Sequence, residues 1–556
     1  MSKIKRISII LSMCIGTFMC LVNETIMNVV LPEIQRGLHT NLSSMTWAIN
    51  AYTIIFAALT IPFGRLAQRI GVNKSFLGGT VVFLAGAIVA AFAPNVNMII
   101  LGRSIQALGV AFVFPLSMVI GISSVSEKGR SIVIALLSMT QGLAGALGPT
   151  IGGTLSEKFN WRWVFIINIP LAITTILLGV FSLNLKEKIV NNKIDIFGSV
   201  LSALILFSLT LGLIQGNKWG WNSIGIIGLF STSAVGLIVF VLYERHIDYP
   251  MIPMKLFTYR KFNGAALSML LGTVFFVGVL TVLPTYFVSL QNKSDLTAAL
   301  LITPASAMIV LFSPISSMLV NKLGGKITVI LAALAMGISY ILLWNIDMNN
   351  EFYVGIACAI LGAGYGMITG AMQTLAASDF QGELLSSSQP VILVMRLVGF
   401  ALAASIFITA LSNNVSTAKN SSISYAYTQI DNLNLTSKQS NSMKNQVSYR
   451  IRHQKNNKDS KYKVSDYQKQ LIVSSTLEKV PTQLRNKIKP MIEKKVGLKV
   501  QQTENKINLS TTRIKNHTRS QFTKAFIDIY KVATPFVFLL VLLSFIFKRQ
   551  KRVSKI

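Results

Sequence analysis

Two residues of this chain can do acid–base chemistry where it is expensive. Glu24 and Arg103 each stand inside a long apolar run, Leu21-Val22-Asn23-Glu24-Thr25-Ile26 and Leu101-Gly102-Arg103-Ser104-Ile105-Gln106-Ala107-Leu108-Gly109. Hydrocarbon solvates neither charge, so such groups face a partner or a watery cavity. Burial disfavours a charged carboxyl and a nearby guanidinium favours it. An acid held between those influences can take up and release a proton in a useful range. At 1.5 Å per residue both side chains lie about 9–10 Å from the outer ends of their helices, so they can meet. Glu24 is the expected proton carrier, with Arg103 biasing its proton and Asn23 beside it. Gln106, Asn28 and Arg396 are expected around the same cavity. A purely structural ion pair, or snorkelling of Arg103 to the outer surface, is the competing reading.

Other chemistries find little support. Cys14, Cys20 and Cys358 all lie in apolar runs, which fits small buried hydrophobes and gives neither a disulfide framework nor a metal-binding spacing. His39, His246, His453 and His517 fall between apolar runs, away from any membrane relay. No catalytic cluster or phosphate loop is visible, so neither an enzyme nor a resident cofactor or metal is expected.

The elements that must hold Glu24 and Arg103 are membrane helices. The 556 residues are 52% hydrophobic and 13% charged, with a mean hydropathy of +0.57. A bilayer core of about 30 Å needs roughly 20 apolar residues of helix. Fourteen such stretches occur, from 7–30 to 526–547, and they predict an all-α integral membrane protein. The first stretch follows Lys3-Ile4-Lys5-Arg6 but lacks a small-residue cleavage site, so it reads as a retained span and not a signal peptide. The net charge of +32 sits mostly between spans. Arg65, Arg69 and Lys74, Lys128 and Arg130, Lys186, Lys188 and Lys193, and the tail from Lys548 share one side with the N-terminus. The positive-inside rule makes that side the cytoplasm and places both termini there. Nucleic acid binding is not expected. Residues 413–525 fall outside and hold 22 Lys and Arg against six acids, an exception that a long translocated loop tolerates. They read as a largely solvated loop near anionic lipid headgroups, with an amphipathic piece around 470–480.

Glycine patterns add mechanism. Gly64-Arg65-Leu66-Ala67-Gln68-Arg69-Ile70-Gly71-Val72-Asn73-Lys74 follows the second span, and Asn321-Lys322-Leu323-Gly324-Gly325-Lys326 echoes it after the tenth, as if two halves repeat one plan. The fifth span carries Gly142-Leu143-Ala144-Gly145-Ala146-Leu147-Gly148-Pro149-Thr150-Ile151-Gly152-Gly153, where small residues allow close helix approach and Pro149 frees a carbonyl.

In order and spacing these patterns resemble the major facilitator superfamily, and the glycine–proline run of span five is similar to the motif typical of its antiporters. Leu21-Val22-Asn23-Glu24-Thr25, Trp161-Arg162-Trp163-Val164-Phe165 and Pro250-Met251-Ile252-Pro253-Met254-Lys255-Leu256-Phe257 look like signatures of the fourteen-span drug:proton antiporter family of the QacA type. The resemblance covers residues 1 to about 412 and the last span. It implies a major facilitator fold with an N-terminal six-helix bundle over 1–185, an inserted helix pair over 186–245 and C-terminal bundle spans over 246–412. The large basic loop over 413–525 and the last span with its tail over 526–556 complete the chain. It also implies proton-coupled export of lipophilic small molecules by alternating access, powered by the proton motive force, in a bacterial plasma membrane. Small-molecule cargo, protons and membrane lipids are the partners. A dedicated exporter of a metabolite, lipid or anionic nucleotide is the alternative, and a transporter-like receptor acting through 413–525 a further one. The chain departs from the family where an aspartate is usual. Asn23 holds that place in span one with Glu24 next to it, and Gln68 holds the place of the loop aspartate.

Overall fold

Inside a bilayer no water satisfies backbone N–H and C=O groups, so spanning segments close their hydrogen bonds internally as helices. The structure is a computed structural model that describes residues 2–40, 42–187, 195–433, 435–453, 464–479, 481 and 484–547, with no strand among them. Fourteen helices are long and apolar enough to cross a membrane, the number expected from the sequence.

The first bundle is built from α1 (Lys3–Gly37), α2 (Leu42–Ile70), α3 (Val72–Ala91), α4 (Val96–Ser123), α5 (Glu127–Lys158) and the sixth span, formed by α6 (Trp163–Ile166) with α7 (Asn168–Ser182). Next come α8 (Ile196–Trp219) and α9 (Ile224–Glu244), packed on each other as the inserted pair. The second bundle contains α10 (Arg260–Gln291), α11 (Asp295–Leu323), α12 (Gly325–Asn345), α13 (Glu351–Ser378) and the first part of α14 (Gly382–Asp431), completed by the end of α17 (Arg485–Val537) and α18 (Leu539–Ser544).

The basic motif after span two was expected in a loop, but it is mostly helix. Gly64 to Ile70 form the last turns of α2, and Gly71 alone separates α2 from α3, with φ +114°. Gly324 stands alone between α11 and α12 in the same way, with φ +83°. Both conformations strain any residue with a Cβ, which gives the repeated motif a physical basis.

Small residues set the helix spacing. On α13 the stripe Gly362, Gly366 and Gly370 lies against Ala305, Ile309 and Ser313 of α11, matching positions four residues apart on both helices. A Cβ on Gly366 would approach Ile309 Cα to 2.9 Å, and on Gly362 or Gly370 it would run into backbone carbonyls. On the first bundle, Gly102 and Gly109 of α4 meet Gly86 and Gly79 of α3 backbone to backbone. Gln106 borders that seam beside Gly86, while Arg103, one residue on from Gly102 and so turned by about 100°, reaches α1 and α2.

Residues Ala410–Asp528 form a separate compact unit. The expected solvated loop is instead helical, with α15 (Ser437–His453), α16 (Asp466–Glu478) and the adjoining parts of α14 and α17. Its apolar seam is narrow and includes Ile423, Ala426, Ile430, Ile507 and Phe522. Tyr425 stacks on His517 at 3.9 Å, Lys444 pairs with Asp431, and Glu504 accepts from Val464 N at 2.6 Å. Lys188, Lys193 and the tail from Lys548 lie outside the described residues.

Gly366→Leu should wedge α11 from α13 and lower stability by about 3 kcal/mol, read by thermal unfolding of the detergent-solubilised protein. Gly355→Ala on the same helix meets nothing within 4 Å and should be neutral or slightly stabilising. Equal effects at the two positions would disprove the packing role.

Candidate functional site

Arg103 is completely buried, so it does not snorkel. Its Nε donates to Ala48 O at 3.3 Å, and its Nη1 donates to Asn23 O at 3.2 Å and to Gln106 Oε1 at 3.4 Å. The guanidinium lies 3.9 Å from the centre of the Tyr52 ring, whose hydroxyl donates to Cys20 O at 2.9 Å. One cation therefore ties α4 to α1 and α2 through carbonyl dipoles and a π face. The Asn23 side chain accepts from Asn168 Nδ2 at 3.5 Å, which adds α7 to the cluster. Three buried polar atoms there have no partner among the described residues: Asn23 Nδ2, Gln106 Nε2 and Asn168 Oδ1.

Glu24 does not pair with Arg103. The carboxyl is partly buried and makes no hydrogen bond and no ion pair among the described residues. It lies in the field of two guanidinium groups, Arg396 the stronger and Arg103 the weaker. One step along a helix turns a side chain by about 100°, so Asn23 joins the Arg103 cluster while Glu24 shares none of that cluster's hydrogen bonds among the described residues. The Asn28 side chain lies outside the described residues.

Arg396 on α14 opens a polar chain between the bundles. Its Nη1 donates to Gln141 Oε1 at 2.7 Å, Gln373 Nε2 donates to the same oxygen at 3.3 Å, and Ser138 Oγ donates to Gln373 Oε1 at 2.6 Å. Ser138 and Gln141 come from α5, and Gln373 from α13. Sequence reasoning missed both glutamines, although each is an amide within an apolar run and Gln141 directly precedes the glycine motif. Beside Arg396 is a cavity of about 20 Å³ whose walls include Phe114, Met118, Met269 and Gln373. It holds little more than one water.

The glycine motif joins three helices. Gly142 and Gly145 face Val310 and Ser306 of α11, while Gly148 and Gly152 face Thr25 and Ile26 of α1. Thr25 Oγ1 donates toward Ala144 O at 3.3 Å. Pro149 lies inside a continuous α5, and Gly153 is buried beside Gly152.

At the Lys/Arg-rich end a cavity of about 820 Å³ is lined by Lys5, Arg65, Arg69, Asn73, Glu187 and Glu383 among others. Arg65 Nη1 lies 2.6 Å from Glu383 Oε1 and donates to Gln68 Oε1 at 2.6 Å, linking α2 to α14. Glu187 accepts from Asn73 N at 2.8 Å and Lys74 N at 3.3 Å, so its carboxylate covers the positive N-terminus of α3. Further ties between the bundles run from Arg130 Nη1 to Phe380 O, from Gln381 Nε2 to Glu127 Oε1, and from Asn321 Nδ2 to Ser131 Oγ.

Residues 13–404 match the family model described as Major Facilitator Superfamily. Multidrug transporter protein MdtP of Bacillus subtilis is 28% identical over 391 residues, covering 69% of this chain and 72% of the relative. Multidrug export protein EmrB of Escherichia coli is 30% identical over 316 residues, 56% of this chain and 62% of the relative. Multidrug resistance protein Stp of Mycobacterium tuberculosis is 25% identical over 405 residues, 72% of this chain and 75% of the relative.

Arg103→Ala should leave the Asn23 and Ala48 carbonyls without their donor and lower stability by about 2–3 kcal/mol, measured by thermal unfolding in detergent. Arg103→Lys keeps the charge without the planar fork and should recover about half. Wild-type stability of the alanine variant would show that the guanidinium holds nothing together.

Proposed function

Because the chain belongs to the Major Facilitator Superfamily, we propose that this membrane transporter is a proton-coupled exporter of lipophilic small molecules that works by alternating access. The observation that carries the reading is Glu24, an acid within a span that has no partner among the described residues and lies in the fields of one guanidinium from each bundle. Arg103 is fixed within the first bundle, whereas Arg396 belongs to the second. Movement of one bundle against the other changes the distance from Glu24 to Arg396 more than the distance to Arg103. A carboxylate is favoured when Arg396 is near, and a neutral carboxyl when it is far. That dependence couples the proton on Glu24 to the conformation, which is what antiport requires.

The glycine face of α5 supports the moving seam, since Gly142 and Gly145 let α11 slide or rock on a surface without side chains. Export of drugs rests on the relatives, whose names describe multidrug transport, export and resistance. The cargo preference follows from charge. With two guanidinium groups and one acid at the inter-bundle site, neutral, zwitterionic or anionic amphiphiles fit beside lipophilic cations. Methionines 118 and 269 and Phe114 supply adaptable apolar walls as the small cavity opens.

Inverted membrane vesicles with an imposed pH gradient give the decisive measurement. Wild-type vesicles should accumulate a lipophilic dye in proportion to the gradient, and Glu24→Gln should fall to the level of empty vesicles while Glu24→Asp retains part of the flux. Unchanged gradient-driven uptake in Glu24→Gln would remove Glu24 from coupling. Wild-type uptake that ignores a collapsed gradient would end the antiport reading itself.

A further inference from the structure

The inserted helix pair carries a buried cluster that the cycle above does not use. Asp195 caps α8, its Oδ1 accepting from Gly198 N at 2.8 Å and from the Tyr243 hydroxyl at 3.0 Å. Glu244 ends α9 and accepts with Oε2 from Ile252 N at 3.3 Å. That bond anchors the segment of Pro250-Met251-Ile252-Pro253, in which Met251 and Ile252 are buried. Asp195 is 6% exposed and Glu244 2%.

The two remaining oxygens, Asp195 Oδ2 and Glu244 Oε1, are buried with no partner among the described residues. They converge on one spot: a Cβ added to Gly198 would collide with Asp195 Oδ2 and lie 2.6 Å from Glu244 Oε1. Their approach to the same point above Gly198 brings the two carboxyl groups close together.

Ionised carboxylate oxygens are acceptors only, so two facing each other out of water repel and leave lone pairs unmet. No cation answers them among the described residues. From α8 and its cap comes Asp195. From α9 come Tyr243 and Glu244. The following segment contributes the backbone N–H groups of Met251 and Ile252. His246, two residues beyond Glu244, turns its Nδ1 back to Leu242 O. On α2, which packs along α8, Arg65 is engaged by Glu383. One hydrogen resolves the conflict, because a protonated oxygen donates to the ionised one and satisfies both.

We propose that Asp195 and Glu244 form a proton-binding site separate from Glu24, with one proton shared between Asp195 Oδ2 and Glu244 Oε1. The site stands at the Lys/Arg-rich end of the inserted pair, where α8 begins and α9 ends, and draws its proton from the aqueous phase on that side. Losing the proton leaves two like charges in one pocket and loosens the hold of Glu244 on the segment that leads into α10. The site thus reports the pH of one compartment to the joint between the inserted pair and the second bundle. This inference does not depend on proton-coupled export.

The shared proton stabilises the folded state while it is bound. As pH rises the unfolded chain releases its carboxyl protons while the native pair still holds one, so stability falls with rising pH until the native proton is lost as well. Melting of the full-length protein in detergent between about pH 4.5 and pH 8 tests this, from the ordinary carboxyl range up to loss of the native proton. Wild type should lose a few degrees more than either Asp195→Asn or Glu244→Gln. In each variant an amide N–H donates across the pair and cannot be lost, so the curve flattens. Infrared spectra of wild type near neutral pH should carry a protonated-carboxyl C=O band that both variants lack. If one variant fails to fold, the other carries the comparison, and reversible loss of the wild-type band at high pH needs neither. Identical pH dependence in all three proteins would overturn the proposal. So would wild-type stabilisation by magnesium, calcium or manganese with no carboxyl band, because the pair would then be a cation site.

Discussion

Hydrocarbon offers no hydrogen bonds, so every polar side chain within a span must find its partner on another helix or leave a group unmet. Much of the architecture follows from how each polar group meets that demand. Arg103 draws α1, α2 and α4 together through two carbonyls, an amide and the Tyr52 ring. The Tyr340 hydroxyl donates to Phe275 O at 2.6 Å and joins α12 to α10 in the second bundle. Ser317 of α11 donates to Gly370 O at 3.1 Å, a bond available only because Gly370 brings the two backbones close. Polar partners and glycine stripes are therefore one device, since the close approach that a small residue permits is what lets short side chains reach a neighbouring carbonyl.

The same demand separates structural charge from functional charge. Arg103 is held by two backbone carbonyls and an amide oxygen of the first bundle and stays in place as a fixed positive potential. Glu24 has no such partner among the described residues, and it lies in the fields of Arg103 and of Arg396 from the other bundle. A group satisfied within one rigid body cannot sense movement of another, whereas an unsatisfied group between two bodies can. Asn23 and Glu24 differ over two consecutive residues: one joins the fixed cluster, and the other is the group proposed to exchange protons.

Span number, the glycine faces and the polar residues of spans one and four were legible in the sequence, because composition and short spacing encode them directly. Partners distant along the chain were not. Gln141 and Gln373 are 232 residues apart, and nothing local says that they share an oxygen with Arg396. Residues 413–525 misled for another reason. Lys- and Asn-rich helices carry a polar surface over most of their circumference, and a seam as narrow as Ile423, Ile430, Ile507 and Phe522 leaves little periodic signal. The helical motif around Arg65 was read as a loop because its glycines and charges look like a turn. Only Gly71, with its left-handed backbone, breaks the helix.

The ties between the bundles differ in strength in a way that suits a cycle. At the Lys/Arg-rich end Arg65 meets Glu383, whose side chain is 49% exposed, and Gln381 meets Glu127 at the surface. Exposed pairs of this kind are worth about 0.2–1 kcal/mol each, so thermal motion and cargo can break them. With Gln68 neutral, the charge of Arg65 is balanced from across the seam by Glu383, and parting the bundles leaves it to water. Glu187 stays with α3 throughout, since Asn73 and Lys74 hold it within the first bundle. Along α5 and α11 the contact is instead backbone against backbone at Gly142 and Val310. At that crossing separation costs contact area and no hydrogen bond among the described residues, unlike the Asn321–Ser131 bond farther along the same two helices, so in the proposed cycle it suits a pivot while the polar ties at the Lys/Arg-rich end open and close.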